Sequence, residues 1–159
     1  MNSRTRLGSL LVAVVLLAAG SWLLWDGSSR RAAQTAGAQA VQAAQDSIPV
    51  ILSYRPATAE KDLPAAARDR LTGKFLADYT QLITTVVIPD AKQKGVSASA
   101  KVPAAAVVSA DSGHAVVLAY VDQTLTVGSA PSTQTNSSVR VTLDKVDGRW
   151  MISGFDQEV

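Results

Sequence analysis

Apolar residues run from Leu7 to Trp25 without a single charge, which predicts a helix able to cross a membrane. The run holds nineteen residues, so at about 1.5 Å per residue it is roughly 28 Å long, close to the thickness of a bilayer core. Trp22 and Trp25 lie at its end, where indole rings favour the headgroup boundary, and Arg4 and Arg6 precede it. We therefore predict one transmembrane helix over residues 7–25, with these Trp and Arg residues at the two membrane boundaries.

A cleaved signal peptide and a buried core helix are the alternatives to a retained span. Small residues at 36–40 offer cleavage sites, although the apolar part of a signal peptide is usually about 7 to 15 residues long. Arg4, Arg6 and the α-amino group oppose Arg30 and Arg31 across the run, a slight excess of positive charge on the N-terminal side. We expect a cytoplasmic tail at residues 1–6 and the rest of the chain on the far side of the membrane.

Residues 26–46 are rich in Ala and Gln and carry almost no large apolar side chain. Such a segment favours helix by propensity but offers little surface to a core, so it predicts a solvated helical stalk or linker. The chain turns apolar at 47–55, where Pro49 either kinks this helix or starts a new one. We expect a single folded domain at 47–159.

Two further helices are expected before the strands. The first follows Thr58, and Pro64 suggests a later start for it. The second begins near Gly73 and has the strongest helical pattern in the chain. Its apolar residues recur three to four positions apart and predict a core-facing stripe made of Phe75, Leu76, Tyr79, Leu82, Ile83 and Val86. Pro89 ends or kinks this helix.

After Gly95 apolar and polar residues alternate, as they do in half-buried strands. Two strands are expected on either side of a turn at 111–113, the second running from His114 to Gly128. A polar loop is expected at 129–138, and Asp147-Gly148 has the sequence of a two-residue hairpin turn. Helices first and antiparallel strands afterwards predict an α+β domain with the helices packed on one sheet face.

Charge and composition exclude some classes of function. All thirteen acidic residues follow the predicted span together with thirteen of the fifteen Lys and Arg residues, so the exported part is formally neutral. A nucleic-acid-binding protein needs concentrated positive charge to neutralise phosphates, and we therefore expect no nucleic-acid partner. The absence of cysteine excludes disulfides, thiolate metal sites and a cysteine nucleophile.

Candidate catalytic groups are few. The one histidine, His114, opens a strand beside the turn at 111–113, where a solvated role is favoured over a catalytic base. Asp122 falls on the polar face of the same strand by alternation. No Ser/His/Asp grouping, glycine-rich phosphate loop or pair of histidines at ligand spacing can be assembled. We therefore expect a protein that is not an enzyme and that holds neither metal nor cofactor.

Tyr54, Tyr79 and Trp150 are candidates for lining a pocket between the helices and the sheet, because each joins a polar atom to a large apolar body. Ordinary core packing explains the same residues, and aromatic side chains at helical or strand spacing are more often core. Both interpretations stay open from the sequence.

Four short motifs connect the chain to a known family, namely Ser53-Tyr54-Arg55-Pro56, Leu71-Thr72-Gly73-Lys74-Phe75, Val87-Ile88-Pro89 and Val146-Asp147-Gly148-Arg149-Trp150. With their surroundings, 51–110 and 138–156, they closely resemble the actinobacterial mammalian-cell-entry (Mce)-associated membrane proteins. The resemblance implies a cone-shaped NTF2-like domain of helices on a curved antiparallel sheet, in the periplasm behind a single inner-membrane span. It also implies a docking role beside Mce lipid-import complexes, whose subunits or related envelope proteins would be the partners.

A periplasmic lipid- or sterol-binding module and an NTF2-like enzyme are the alternative functions. The first would have a lipid as its ligand and needs a cavity open to solvent or membrane. The second needs an ionisable group inside such a cavity.

Overall fold

The computed structural model describes residues 31–158. Its helical elements are α1 at 31–52, α2 at Ala59–Arg70, α3 at Gly73–Leu82, a π-helix at Ile83–Val87 and α4 at Ile88–Lys94. Its strands are β1 at Val96–Ala110, β2 at His114–Val127, β3 at Thr133–Val146 and β4 at Arg149–Glu158. The predicted span at 7–25 and its boundary residues Arg4, Arg6, Trp22 and Trp25 lie outside the described residues. Between residues 31 and 158 no helix is both long enough and apolar enough to cross a membrane.

The strands form an antiparallel meander in the order β1-β2-β3-β4. The pairing register shifts twice on β1, between Lys101 and Ala104 and again a few residues later, and such shifts bend a sheet. The helices come first in the chain and share one core with the sheet, so the predicted α+β class is confirmed. Asp147 and Gly148 both have positive φ angles, 49° and 81°, which confirms the predicted two-residue hairpin turn.

Strand β3 begins earlier than the sequence predicts. The loop expected at 129–138 is limited to 128–132, and residues 133–138 pair with β2. These residues are polar and mostly exposed, so they lack the alternation by which a half-buried strand is recognised. Strand β2 extends to Val127 and pairs with residues 133–138, so the backbone N–H and C=O groups of both segments find hydrogen-bond partners.

Helix α1 is not the solvated stalk that its composition predicts. One face of small and aliphatic side chains is buried, comprising Ala36, Ala40, Ala44, Ile48 and Ile51. A Cβ atom added to Gly37 would lie 3.2 Å from the Cγ2 atom of Val107, so the helix backbone lies close against β1. Small side chains therefore allow close packing here, and the prediction of solvation is wrong for this face. The helix also continues through Ser47 and Pro49 without a break.

Helix α2 begins at Ala59 and contains Pro64 in its interior, so the later start suggested by this proline is wrong. The core lies between the helices and one face of the sheet. Its largest fully buried side chains are Ile48, Leu63, Leu71, Ile83, Val117, Val141, Leu143 and Ile152. Leu71 and Ile152 also form an isolated backbone bridge that joins the end of α2 to β4.

The predicted stripe on α3 is divided between core and surface. Tyr79 and Ile83 are 7% and 1% exposed and belong to the core, while Phe75 and Leu76 pack against it partly buried. Tyr79 and Ile83 are four residues apart, one turn of helix, and they mark the centre of the buried face.

Leu82 and Val86 are 50% and 48% exposed, so their predicted place in the core is wrong. At about 100° per residue Leu82 lies on the flank of α3, beyond the edge of the buried face. Val86 lies in the π-helix, whose wider turn interrupts the regular period. The buried face resumes at Val87, the last residue of the π-helix, and continues through Ile88 and Ala91.

Candidate functional site

A cavity of about 550 Å³ lies where α1 ends against the inner face of the sheet. Its floor is apolar and is formed by Leu52, Val121, Val139 and Phe155. Alternation along β2 and β3 places Val121 and Val139 on the sheet face that carries the helices. These two valines are 2% and 3% exposed and belong to the core, so the floor is continuous with the apolar interior.

Aromatic side chains connect the cavity floor to helix α3. The ring of Phe155 stacks on Phe75 with centroids 6.1 Å apart and planes inclined by 8°. Phe75 in turn packs against Tyr79, also at 6.1 Å, with the rings tilted by 52°. The Tyr79 hydroxyl donates a hydrogen bond to the carbonyl of Ile51 at 2.5 Å. Burial raises the pKa of Tyr79 and the neighbouring Tyr54 raises it further, so this hydroxyl stays protonated and fixes α3 to α1.

The rim of the cavity is polar but uncharged. It is formed by the side chains of Gln123, Thr135, Ser137 and Gln157, with Asn136 beside them. Amide and hydroxyl groups both donate and accept hydrogen bonds. Among the described residues that line this cavity, none is a Lys, Arg, His, Asp or Glu. The site is therefore suited to hydrogen bonding with neutral groups and offers no counter-ion.

Of the three aromatic residues predicted to line a pocket, Tyr54 and Tyr79 are neighbours and Trp150 lies apart from them, and none of the three lines this cavity. Tyr54 follows α1 and pairs through its backbone with Ala98, and Tyr79 belongs to the core. Trp150, on β4, lies beside the N-terminal half of α1, where its Nε1 atom donates to the Oε1 atom of Gln39 at 3.4 Å. The helix rises about 20 Å from residue 39 to its end at residue 52, where the cavity lies.

His114 lies at the hairpin between β1 and β2. Its Nδ1 atom is 2.7 Å from Oδ1 of Asp144, with side chains 51% and 44% exposed. Hydrogen bonds from His114 and then Ser153 hold the pKa of Asp144 below its usual value. The Oδ1 atom of Asp111 accepts the N–H groups of Gly113 and His114 at 2.8 Å, which lowers the pKa of Asp111. This group stabilises a surface turn, and none of its members lines the cavity.

Asp122 is exposed on the outer face of β2 and accepts a hydrogen bond from the Nδ2 atom of Asn136. The next residue, Gln123, lines the cavity on the other face. Both residues that the sequence offered as acid or base, His114 and Asp122, thus lie outside the site in which a bound molecule would be held.

A second candidate surface is the uncharged helix face, which we define as the exposed side chains from Thr80 to Val86. The chain has no Lys, Arg, Asp or Glu between Asp78 and Asp90. Leu82 and Val86 give this face two half-exposed aliphatic side chains. Because Leu82 and Val86 are four residues apart, they lie on neighbouring turns and together form a small apolar surface.

The threonines of the uncharged helix face have their hydroxyls satisfied within the helix. Thr80, Thr84 and Thr85 donate to backbone carbonyls one turn earlier, at 2.6, 2.7 and 2.8 Å. Because these hydroxyls already have acceptors, a partner can cover them at a small desolvation cost. The π-helix lies within the same face, and π-helical turns are frequent at functional sites.

Sequence reasoning missed the cavity, although one signal for it was present. On the apolar face of β2, Gln123 stands between Val121 and Leu125, where alternation requires a core-facing side chain. A polar residue at such a position indicates that the sheet face is open to solvent there. The opposing residues come from α1, β3 and β4, and only the folded chain brings them together.

Comparison with known proteins identifies relatives in Mycobacterium tuberculosis. No protein-family model matches the chain. The chain is 50% identical over 145 residues to outer membrane protein Rv1973 of Mycobacterium tuberculosis, covering 91% of this chain and 90% of the relative. It is 40% identical over 151 residues to the uncharacterized protein Rv1362c of the same species, covering 92% of this chain and 68% of that protein.

Solved structures support the fold at low sequence identity. An IcmL-like type IV secretion system protein from Legionella pneumophila superposes with a TM-score of 0.63 at 10% identity, over 76% of this chain and 91% of that chain. A periplasmic fragment of TraM gives 0.59 at 12% identity, over 76% and 95%. An NTF2-like superfamily protein from Salmonella enterica gives 0.54 at 12% identity, over 76% and 91%. The predicted NTF2-like fold is thereby confirmed.

Proposed function

Because the chain belongs to the family of outer membrane protein Rv1973 of Mycobacterium tuberculosis, we propose that it is a noncatalytic, membrane-anchored accessory subunit of an Mce-type lipid import complex. The family relationship supports a place in the cell envelope. The four motifs by which the chain resembles the Mce-associated membrane proteins support the choice of complex. Docking and stabilisation of the transporter are the proposed activity.

The observation that carries this proposal is the uncharged helix face. Leu82 and Val86 expose apolar surface on a helix whose own threonine hydroxyls are already bonded. Covering such a surface gains hydrophobic free energy, about 25 cal/mol per Å² of apolar area, with few polar groups to desolvate. A helical or apolar surface on an Mce transporter subunit is the partner that fits it.

The membrane location is part of the same proposal. We place the span at 7–25 in the inner membrane, with residues 1–6 in the cytoplasm and the NTF2-like domain in the periplasm. N-terminal sequencing of the mature protein tests the anchor, and a mature chain that starts near Gln39 or Val41 would contradict it. Separation of inner and outer membranes tests the compartment, since the name of the Rv1973 relative assigns that protein to the outer membrane.

Docking is tested by placing charge on the uncharged helix face. Leu82→Lys combined with Val86→Lys keeps helix-forming residues while making the face positive. We expect transporter subunits to co-purify with the full-length wild type from detergent-solubilised membranes of the host, and we expect this variant to lose them at least tenfold. The matched control is Val108→Lys on β1, because Val108 is 55% exposed but lies away from the helix.

The result for the control variant Val108→Lys decides whether the uncharged helix face is the docking surface. Equal loss of transporter subunits in both variants would mean that the helix face is not the specific contact. Retention of the transporter subunits by both variants would refute docking through the uncharged helix face.

Catalysis is tested separately by substituting His114 and Asp122 together with Ala, which should leave lipid uptake near the wild-type rate. A general base normally contributes about 10²- to 10⁴-fold in rate, so loss of uptake with an intact complex would support an enzymatic or proton-coupled role.

A further inference from the structure

The cavity at the end of α1 has the size of a binding site for a small molecule. Its volume of about 550 Å³ falls inside the range of about 300 to 1,000 Å³ that ligand pockets usually occupy. The docking activity proposed above makes no use of it, because the uncharged helix face and the cavity share no lining residue.

The floor of the cavity is suited to hydrocarbon. Val121 and Val139 continue directly into the core, and Phe155 is held by its stack on Phe75. Val121 and Val139 close the floor from below, and the partly buried Leu52 and Phe155 keep apolar surface accessible above them. An acyl chain or a ring system that covers Leu52 and Phe155 removes apolar surface of both partners from water. The rim adds the groups that would orient a polar head, since Gln123, Thr135, Ser137 and Gln157 can each donate and accept.

The charges near the cavity are directed away from it. Asp122 and Asp156 precede the rim residues Gln123 and Gln157, and strand alternation puts each acidic side chain on the outer sheet face. Asp156 is paired in register with Arg140, and Asp122 accepts from Asn136. No cation of the described chain lines the rim, so an anionic head placed there would gain no counter-ion.

We propose that this cavity binds an electrically neutral amphiphile, with its acyl chain or rings against Leu52 and Phe155. Its hydroxyl, ester or amide head would lie against Gln123, Ser137 and Gln157. Lipids with a permanently anionic head are disfavoured at the same site. Docking does not require the cavity to be occupied, so this binding goes beyond the proposed function.

The test uses the full-length protein in phosphatidylcholine vesicles and two photoreactive probes. One is a monoacylglycerol with a diazirine in its acyl chain, and the other is the same chain bearing a sulfate head. After irradiation, labelled peptides are identified by mass spectrometry. We expect the neutral probe to label the peptides around Val139 and Phe155 at least tenfold more than the sulfate probe. Excess unlabelled monoacylglycerol should compete with this labelling.

Two adjacent serines provide a matched pair of variants. Ser137→Trp places an indole in the cavity, whereas Ser138→Trp places it on the outer face of the same strand, opposite Tyr120. Labelling of these peptides should fall at least tenfold in the first variant and stay near wild type in the second. Circular dichroism checks that both remain folded.

A charge substitution keeps the proposal testable if Ser137→Trp does not fold. Gln157→Lys places a cation on the exposed rim and should raise labelling by the sulfate probe at least tenfold. Equal labelling of the wild type by both probes would overturn the choice of a neutral ligand. Labelling that Gln157→Lys leaves unchanged, or that Ser138→Trp lowers as much as Ser137→Trp, would overturn the site. Co-purification of transporter subunits is measured on the same variants, so failure of ligand binding and failure of docking are distinguished.

Discussion

Two neighbouring residues, Leu82 and Ile83, should differ sharply in their contribution to stability. Ile83 is 1% exposed and Leu82 is 50% exposed, although both are aliphatic and share one helical segment. Substitution by Ala removes three side-chain carbons in each case, and a buried methylene contributes about 0.8 kcal/mol. Ile83→Ala therefore loses about 2.4 kcal/mol of transfer free energy, and the cavity it leaves raises the total to about 3 to 5 kcal/mol. Leu82→Ala loses about half the transfer value and leaves no cavity, so about 1 kcal/mol is expected.

Urea unfolding of the full-length protein in detergent, followed by circular dichroism, measures this difference. With a slope of about 2 kcal/mol per M, Ile83→Ala should lower the urea midpoint by about 1.5 to 2.5 M and Leu82→Ala by about 0.5 M. The slopes themselves should agree with wild type, because a changed slope would indicate a change in the unfolded or native ensemble. Equal midpoints for the two variants would refute the assignment of Ile83 to the core and Leu82 to the flank.

Three further predictions follow from buried or paired groups. The pKa of Asp144 is lowered in the folded state, so the stabilisation by its carboxylate is complete above about pH 4 and is lost as the pH falls through the folded-state pKa. Asp144→Asn should therefore weaken the loss of stability that acid causes in the wild type. An unchanged dependence of stability on pH would contradict the pairing with His114. Ala40→Leu should destabilise by about 1 to 3 kcal/mol because Ala40 is fully buried, whereas Ala38→Leu on the exposed face should have little effect on thermal unfolding. Tyr79→Phe should cost about 0.5 to 1.5 kcal/mol by leaving a backbone carbonyl without its donor, and unchanged chemical denaturation would show that this hydrogen bond is replaced by water.

The order and type of the elements could be predicted from the sequence because they depend on local period. The spacing of Phe75, Tyr79 and Ile83 indicates a helix wherever that helix packs, and Asp147-Gly148 requires the two positive φ angles found in the structure. The period of apolar residues shows which side of a helix is apolar, but it does not show how much of that side the rest of the protein covers. Leu82 meets the spacing rule and is half exposed, because it lies on the flank of the buried face whose centre is Tyr79 and Ile83.

Small residues and tertiary assembly account for the other differences. Ala36, Ala40 and Ala44 have too little apolar area to identify a core face by hydrophobicity, but their size lets α1 lie close to β1. The cavity depends on side chains from α1, β2, β3 and β4 that are far apart in the chain. Gln123, a polar residue between Val121 and Leu125, is a local sign of the cavity within β2.

The π-helix can be understood as one residue more than a regular helix needs. Along an ideal α-helix, Ile88 would lie about 180° from Tyr79, on the solvent side, yet it packs against the core. Removing one residue between Ile83 and Val87 would return the later residues to register, with Val87, Ile88 and Ala91 within about 80° of Tyr79. A chain that lacks Thr84 should therefore fold with the same core, as an uninterrupted helix. Such a deletion would remove the bulge from the exposed surface and leave the interior unchanged. The extra residue therefore matters for what the helix surface contacts and not for how the core packs.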